Sequence, residues 1–179
     1  MYKYLVLFPI PDPFGGQLCK LQDEVAALTH ISPPYFNLEP HVTFHRPLSG
    51  IGENVLKNLI RSATLQMRQT RITLHALYSF GKHYIVLPVQ ATRDVAALWV
   101  EINHLLARLP EYEHGQYDGD NTLHISIAAK TILVFDQTWP AIRKIQVEPM
   151  TIPLRTIALY RKLVEGGPWE TVETFSIPA

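Results

Sequence analysis

The strongest constraint on this chain is that it repeats itself. "HVTF" begins at His41 and "HISI" at His124, an offset of 83 residues. "ALY" stands at 76–78 and again at 158–160, an offset of 82. The apolar "VLF" at 6–8 answers "IVL" at 85–87, an offset of 79. Three landmarks in one order at nearly constant spacing point to an internal duplication. The expected division is two related halves, about 1–80 and 83–179, forming one two-lobed domain.

The periodicities give each half its elements. Residues 4–10 form a buried apolar run, and Leu18, Leu21, Val25 and Leu28 make a helical stripe over 17–29. Residues 41–46 are β-branched and aromatic and predict a strand. A second stripe (Ile51, Val55, Leu56, Leu59, Ile60, Ala63) predicts a helix over 51–63. Residues 70–80 and 83–90 predict a hairpin around a Gly-Lys turn. Val95, Leu98, Trp99, Ile102, Leu105, Leu106 and Leu109 predict a helix over 92–109 with Thr92 as N-cap. Residues 122–130 predict a strand, and 132–145 a helix that Pro140 must start or kink. Residues 150–163 and 169–178 predict strands joined by a turn at Gly166–Gly167–Pro168. Pro153 places the first at a ragged start or an edge. Segments 30–40 and 110–121 are Pro-rich or polar, and read as loops.

In a strand, residues i and i+2 share a face about 6.6 Å apart. His41 and Thr43 therefore lie side by side, as do His124 and Ser126, with apolar neighbours packing behind. A lone histidine on a strand is more often structural than catalytic, but a duplicated His-hydroxyl pair reverses that balance. If the halves pack about a pseudo-two-fold axis, the pairs face each other across one cleft. Two opposed imidazoles suit in-line displacement at phosphorus. One takes a proton from the attacking oxygen and the other gives one to the departing oxygen, as a pKa near neutrality allows. The two hydroxyls can donate to nonbridging phosphate oxygens. Neither a metal nor a cofactor is needed. Which histidine is acid and which is base stays open at this level.

His41-x-Thr43 and His124-x-Ser126, each followed by a hydrophobic residue, resemble the paired motifs of the two-histidine phosphoesterase superfamily. Within it the chain is most similar to the bacterial 2′-5′ RNA ligase-like and cyclic phosphodiesterase group. The tail "IALYRKLVEGGPWETVETFSIP" is part of that similarity, which spans nearly the whole chain. The resemblance implies a bilobal α+β fold, with an antiparallel sheet and flanking helices in each half and the active-site cleft between them. It implies His41 and His124 as the acid/base pair, and Thr43 and Ser126 as phosphate binders. The expected substrates are 2′,3′-cyclic phosphates of RNA ends or nucleotides, 2′-5′ linkages, or ADP-ribose cyclic phosphate.

Several other side chains are weaker candidates. By alternation His45 shares the face of His41 and Thr43. Arg46 and Lys130 follow the two motifs and can attract phosphate, although basic residues at strand ends are usually just solvated. Tyr117 and His114, in the loop before the second motif, can stack on a base. Tyr78 and Tyr160 are matched by the "ALY" repeat, with core packing the favoured reading. His41 and His45 also have H-x-x-x-H spacing, which suits zinc on a helix. On a strand it separates their Cα atoms by about 13 Å, too far for one metal.

Charge narrows the partner. Lys+Arg and Asp+Glu both number 16, so the formal net charge is zero. An extended nucleic-acid footprint calls for a basic excess, so the expected partner is a small nucleotide or an RNA end. The single cysteine, Cys19, fits a reducing cytoplasm and a helix-packing role. The opening "MYKYLVLFPIPDPFGG" is too short an apolar run for a membrane span and lacks a signal-peptide pattern. The expected state is a cytoplasmic monomer. The best-supported function is hydrolysis of a cyclic phosphodiester. Its rivals are reversible 2′-5′ RNA ligation or cleavage, a non-catalytic nucleotide or RNA-end binding module, and a metallohydrolase built on His41, His45 and His124.

Overall fold

A computed structural model describes residues 1–34, 38–109, 123–129 and 132–179, and of residues 45–47 the backbone. The elements run β1 (Tyr2–Pro9), α1 (Phe14–Thr29), β2 (His41–Ser49), α2 (Glu53–Leu65), β3 (Thr70–Leu74) and β4 (Tyr78–Phe80). They continue with β5 (Tyr84–Ala91), α3 (Arg93–Ala107), β6 (His124–Ala129), α4 (Phe135–Ile142), β7 (Met150–Leu154), β8 (Thr156–Leu163) and β9 (Gly166–Ser176).

Among the described residues, two antiparallel sheets and four helices make an α+β fold of two lobes. The first sheet has the order β2-β1-β8-β9. In the second, β5 pairs with β6 on one side and with β3 and β4 on the other, and β7 lies beyond β3. Each sheet draws strands from both halves of the chain. β3 and β4 leave the first half to pair with β5, while β8 leaves the second to pair with β1 and carries β9 on its far side. The duplicated halves therefore exchange their last strands.

The duplication is visible in the register. His41 lies opposite Pro9 and Thr43 opposite Leu7. His124 lies opposite Pro88 and Ser126 opposite Val86. Just beyond, His45 faces Val6 and Ala128 faces Ile85, so each motif strand carries one extra residue, Phe44 or Ile127. Such a bulge re-aims the side chains that flank it. Both extra residues are buried in the core.

The "ALY" match does not survive this test. Tyr78 pairs with Val86, as Ala158 pairs with Leu7. Phe80 pairs with Tyr84, as Tyr160 pairs with Leu5. The counterpart of Tyr160 is thus Phe80, two residues from where the three-letter identity puts it. Nor is Tyr78 a core residue, since it is 54% exposed.

The main core lies between the sheets and the helices. Tyr4, Val6 and Phe8 point into it from β1, as do Ile85 and Leu87 from β5. Phe8 and Phe44 meet edge-to-face with ring centroids 4.3 Å apart. Leu5 and Leu7, on the opposite face of β1, join a separate small cluster with Ala158 and Tyr160, partly covered by Leu38 and Trp169. That second face is the one His41 and Thr43 share.

Element ends differ from expectation for local reasons. α1 starts at Phe14, three residues early, because Asp12 Oδ1 accepts the Gly16 N–H at 3.2 Å. Gly15 is required there, since a Cβ would stand 2.9 Å from the Ile10 carbonyl oxygen. Thr92 is the N-cap of α3, but its hydroxyl is engaged with Thr70 at 2.5 Å rather than with the helix. Pro140 lies inside α4 rather than at its start. Pro153 sits in β7, whose only described sheet partner is β3. The closing turn is Val164–Glu165, and Gly166 and Gly167, at φ 125° and 109°, open β9. Segment 110–121 and residues 35–37 of the earlier loop lie outside the described residues.

Burial separates two positions that the sequence places in apolar contexts. Phe44 is 2% exposed, and Val55 on α2 is 45% exposed. Phe44→Ala should cost about 3–5 kcal/mol of unfolding free energy. Val55→Ala should stay within about 0.5 kcal/mol of wild type. Urea titration of the two variants checks both values.

Candidate functional site

β2 and β6 carry the two motifs and lie against each other between the lobes. Strand alternation turns Val42, Phe44, Ile125 and Ile127 into the core and leaves His41, Thr43, His124 and Ser126 half-buried on the other face. The local folding is what β-branched and aromatic alternation dictates. The polar residue types fall on the face that the core does not use.

The hydrogen bonds of His41 fix its chemistry. Its Nδ1 lies 2.7 Å from the backbone carbonyl oxygen of Glu39. A carbonyl only accepts, so Nδ1 carries the proton, and in the neutral ring Nε2 holds the lone pair. Burial pushes the His41 pKa below the ordinary value of 6.5, and the charge of His124 pushes the same way. The Glu39 carbonyl and carboxylate pull it back up without cancelling that shift. His41 is therefore held neutral with Nε2 as its basic atom.

Glu39 is itself held. The Tyr160 hydroxyl donates to its Oε1 at 2.6 Å. Tyr160 is buried on the cleft-side face of β8, and burial, with the Glu39 carboxylate beside it, raises its pKa. A chain of contacts thus runs from β8 through Glu39 to the His41 ring.

The second motif is braced differently. Gln22 of α1, 1% exposed, donates through Nε2 to the Ser126 carbonyl oxygen at 2.7 Å. Its Oε1 is buried and finds no hydrogen-bond partner among the described residues. Phe80 of β4 meets the His124 ring edge-on, centroids 5.5 Å apart at 70°. Glu39 thus braces the ring of the first histidine, while Gln22 braces the second motif's strand and Phe80 packs against its histidine.

The structure brings His41, Thr43, His124 and Ser126 together. The side chains of His45 and Arg46, and all of His114, Tyr117 and Lys130, lie outside the described residues. Among the described residues, no three His, Cys, Asp or Glu side chains gather where they could hold a metal ion. Sequence reasoning missed Glu39, Tyr160 and Gln22. A glutamine on the apolar stripe of α1, between Leu21 and Val25, was a visible signal. Glu39 and Tyr160 are 121 residues apart, and nothing local joins them.

Among the described residues no helix is long and apolar enough to cross a membrane. No curated protein sequence matches the chain. Among solved structures it is similar to TT0787 of Thermus thermophilus, at 17% identity and TM-score 0.67, covering 98% of this chain and 97% of that one. It is also similar to E. coli LigT in apo form, at 12% identity and TM-score 0.68, covering 99% and 98%. A third likeness, described as a phosphoesterase, has 11% identity and TM-score 0.63 and covers 100% of both chains. At these identities the likeness establishes a shared fold. A family model described as the 2′-5′ RNA ligase superfamily matches residues 12–165, most of the chain and both motifs. By fold and by family model together, this chain belongs to the 2′-5′ RNA ligase superfamily of phosphoesterases.

Proposed function

We propose that the chain hydrolyses a cyclic phosphodiester, a 2′,3′-cyclic phosphate of a nucleotide or RNA end, with its two lobes acting as one unit. The observation that carries this reading is the doubled motif. Two His-hydroxyl pairs occupy the same register on β2 and β6, each just before the same bulge. E. coli LigT has been crystallised with 3′-AMP, a nucleoside monophosphate of the kind this reaction releases.

In the proposed reaction His41 is the general base. Its Nε2 takes a proton from water as the water oxygen attacks phosphorus. His124, protonated, gives a proton to the departing ribose oxygen as its bond to phosphorus breaks, leaving a monoester. Thr43 and Ser126 hydroxyls donate to the nonbridging oxygens, where charge gathers in the transition state. The assignment of His41 rests on its held tautomer and lowered pKa. A neutral imidazole with a free Nε2 is a base, not an acid. With an RNA 5′-hydroxyl attacking in place of water, the same groups would open the cyclic phosphate to a 2′-5′ linkage, and the two histidines exchange roles when that linkage is cleaved back to the cyclic phosphate.

His41→Ala and His124→Ala should each lower kcat on a 2′,3′-cyclic nucleotide by about 10²–10⁴-fold. Turnover should persist in EDTA. Activity that survives both substitutions would sink the mechanism, and activity lost to the chelator would favour a metal reading.

The pH dependence follows in sign. A base must be unprotonated, and a lowered pKa keeps it so to lower pH. The acidic limb of kcat/KM should therefore fall below pH 6.5, the ordinary histidine value. A limb above that value would contradict His41 as base.

Tyr160→Phe tests the brace on His41. It removes one hydrogen bond to a partly solvated carboxylate and should cost about 1 kcal/mol of stability. It should lower kcat severalfold with KM nearly constant. A stability loss with unchanged kcat would show that Tyr160 only packs.

A further inference from the structure

The two walls of the cleft are not alike. Tyr84 and Val86 on β5 share a face with Tyr78 and Phe80 on β4, and with Ser126 and His124 on β6. Three of these are large aromatic side chains left open, with Tyr78 54%, Phe80 36% and Tyr84 46% exposed. Tyr78 and Phe80 meet edge-to-face at 5.4 Å, and Phe80 in turn meets His124. Val86 beneath them is fully buried, which gives the patch a firm floor. In the other lobe the matching positions are Ala158, Tyr160 and Leu5, and all three are buried. Leu38 and Trp169 pack against that cluster.

The fold thus covers its apolar cleft face on the His41 side and leaves an aromatic one open on the His124 side. Open aromatic faces continuous with a phosphate-directed site suit a planar, π-bearing ligand group. We propose that Phe80 and Tyr84, buttressed by Tyr78, are the platform on which the substrate's nucleobase stacks. The inference rests on the cyclic-phosphodiester reading above and adds an orientation to it. The base lies over β4 and β5, so the departing ribose oxygen is presented to His124 and the attacking water to His41. Stacking reads a π-face rather than a hydrogen-bonding edge, so the platform accepts any base and holds purines more tightly by area.

The test compares adenosine 2′,3′-cyclic phosphate with methyl riboside 2′,3′-cyclic phosphate, which lacks a base. In wild type, kcat/KM should favour the adenosine compound. In Phe80→Ala and in Tyr84→Ala that preference should fall about tenfold or more, mostly through KM. Phe80→Tyr should retain it. Losses shared equally by both substrates, or a preference that does not change, would overturn the platform.

If wild type turns over neither compound, the hydrolysis reading fails and the platform is judged by binding. Calorimetry with adenosine 3′-monophosphate and methyl riboside 3′-phosphate then decides it. Tighter binding of the adenosine ligand that is lost in both alanine variants supports the platform. Equal wild-type affinity for the two ligands overturns it.

Discussion

The pairing of β1 with β8 and of β5 with β4 holds the rest of the structure in place. Each joins a strand of one half to a strand of the other, and each puts a central strand between a motif strand and an exchanged strand. With β1 and β5 fixed, β2 and β6 take their register from them. Pro9 then stands opposite His41 and Pro88 opposite His124. The placement of the four candidate side chains is thus a consequence of backbone pairing on central strands anchored by buried runs, Tyr4–Phe8 in β1 and Ile85–Leu87 in β5.

A symmetric backbone carries asymmetric chemistry. In the first lobe the histidine meets the Glu39 carbonyl, and the Glu39 carboxylate is held by the hydroxyl of buried Tyr160. The second sets its histidine beside an open phenylalanine. Duplication supplies two imidazoles of one type, while the proposed reaction needs one to accept a proton and one to donate it. Different surroundings suit that division of roles. Lobe one buries the imidazole and fixes its tautomer, and so favours the neutral ring.

The legible parts of this architecture were the local ones. Two-residue alternation in "HVTF" and "HISI" was enough to put each histidine beside its hydroxyl, because the strand period does not depend on distant partners. The helical stripes over α1 and α3 were plain for the same reason. Features set by long-range register were not. The link from Tyr160 to Glu39 depends on where β8 pairs with β1. The "ALY" repeat misled by two residues because short matches of common residues carry no register. Exposure was equally hidden. Phe80 and Tyr160 occupy equivalent positions, yet one is open and one buried, and only the neighbouring elements decide which. Val55 fits its stripe in sequence, but the stripe is wider than the face α2 buries.

The exchange of strands also sets an order on synthesis. As the chain emerges, β1 can pair with β2 at once, but its other edge stays open until β8 has been made, more than a hundred residues later. An unpaired apolar edge is a template for wrong partners, and pairings between distant segments are slow to form. β5, the central strand of the second sheet, has no such delay, since β4 and β5 are joined by a three-residue turn and β6 follows one helix later. The sheet whose first strand is made earlier is therefore completed later. Its central strand, which positions His41, stays half-paired while α2, β3 to β7, α3 and α4 are made.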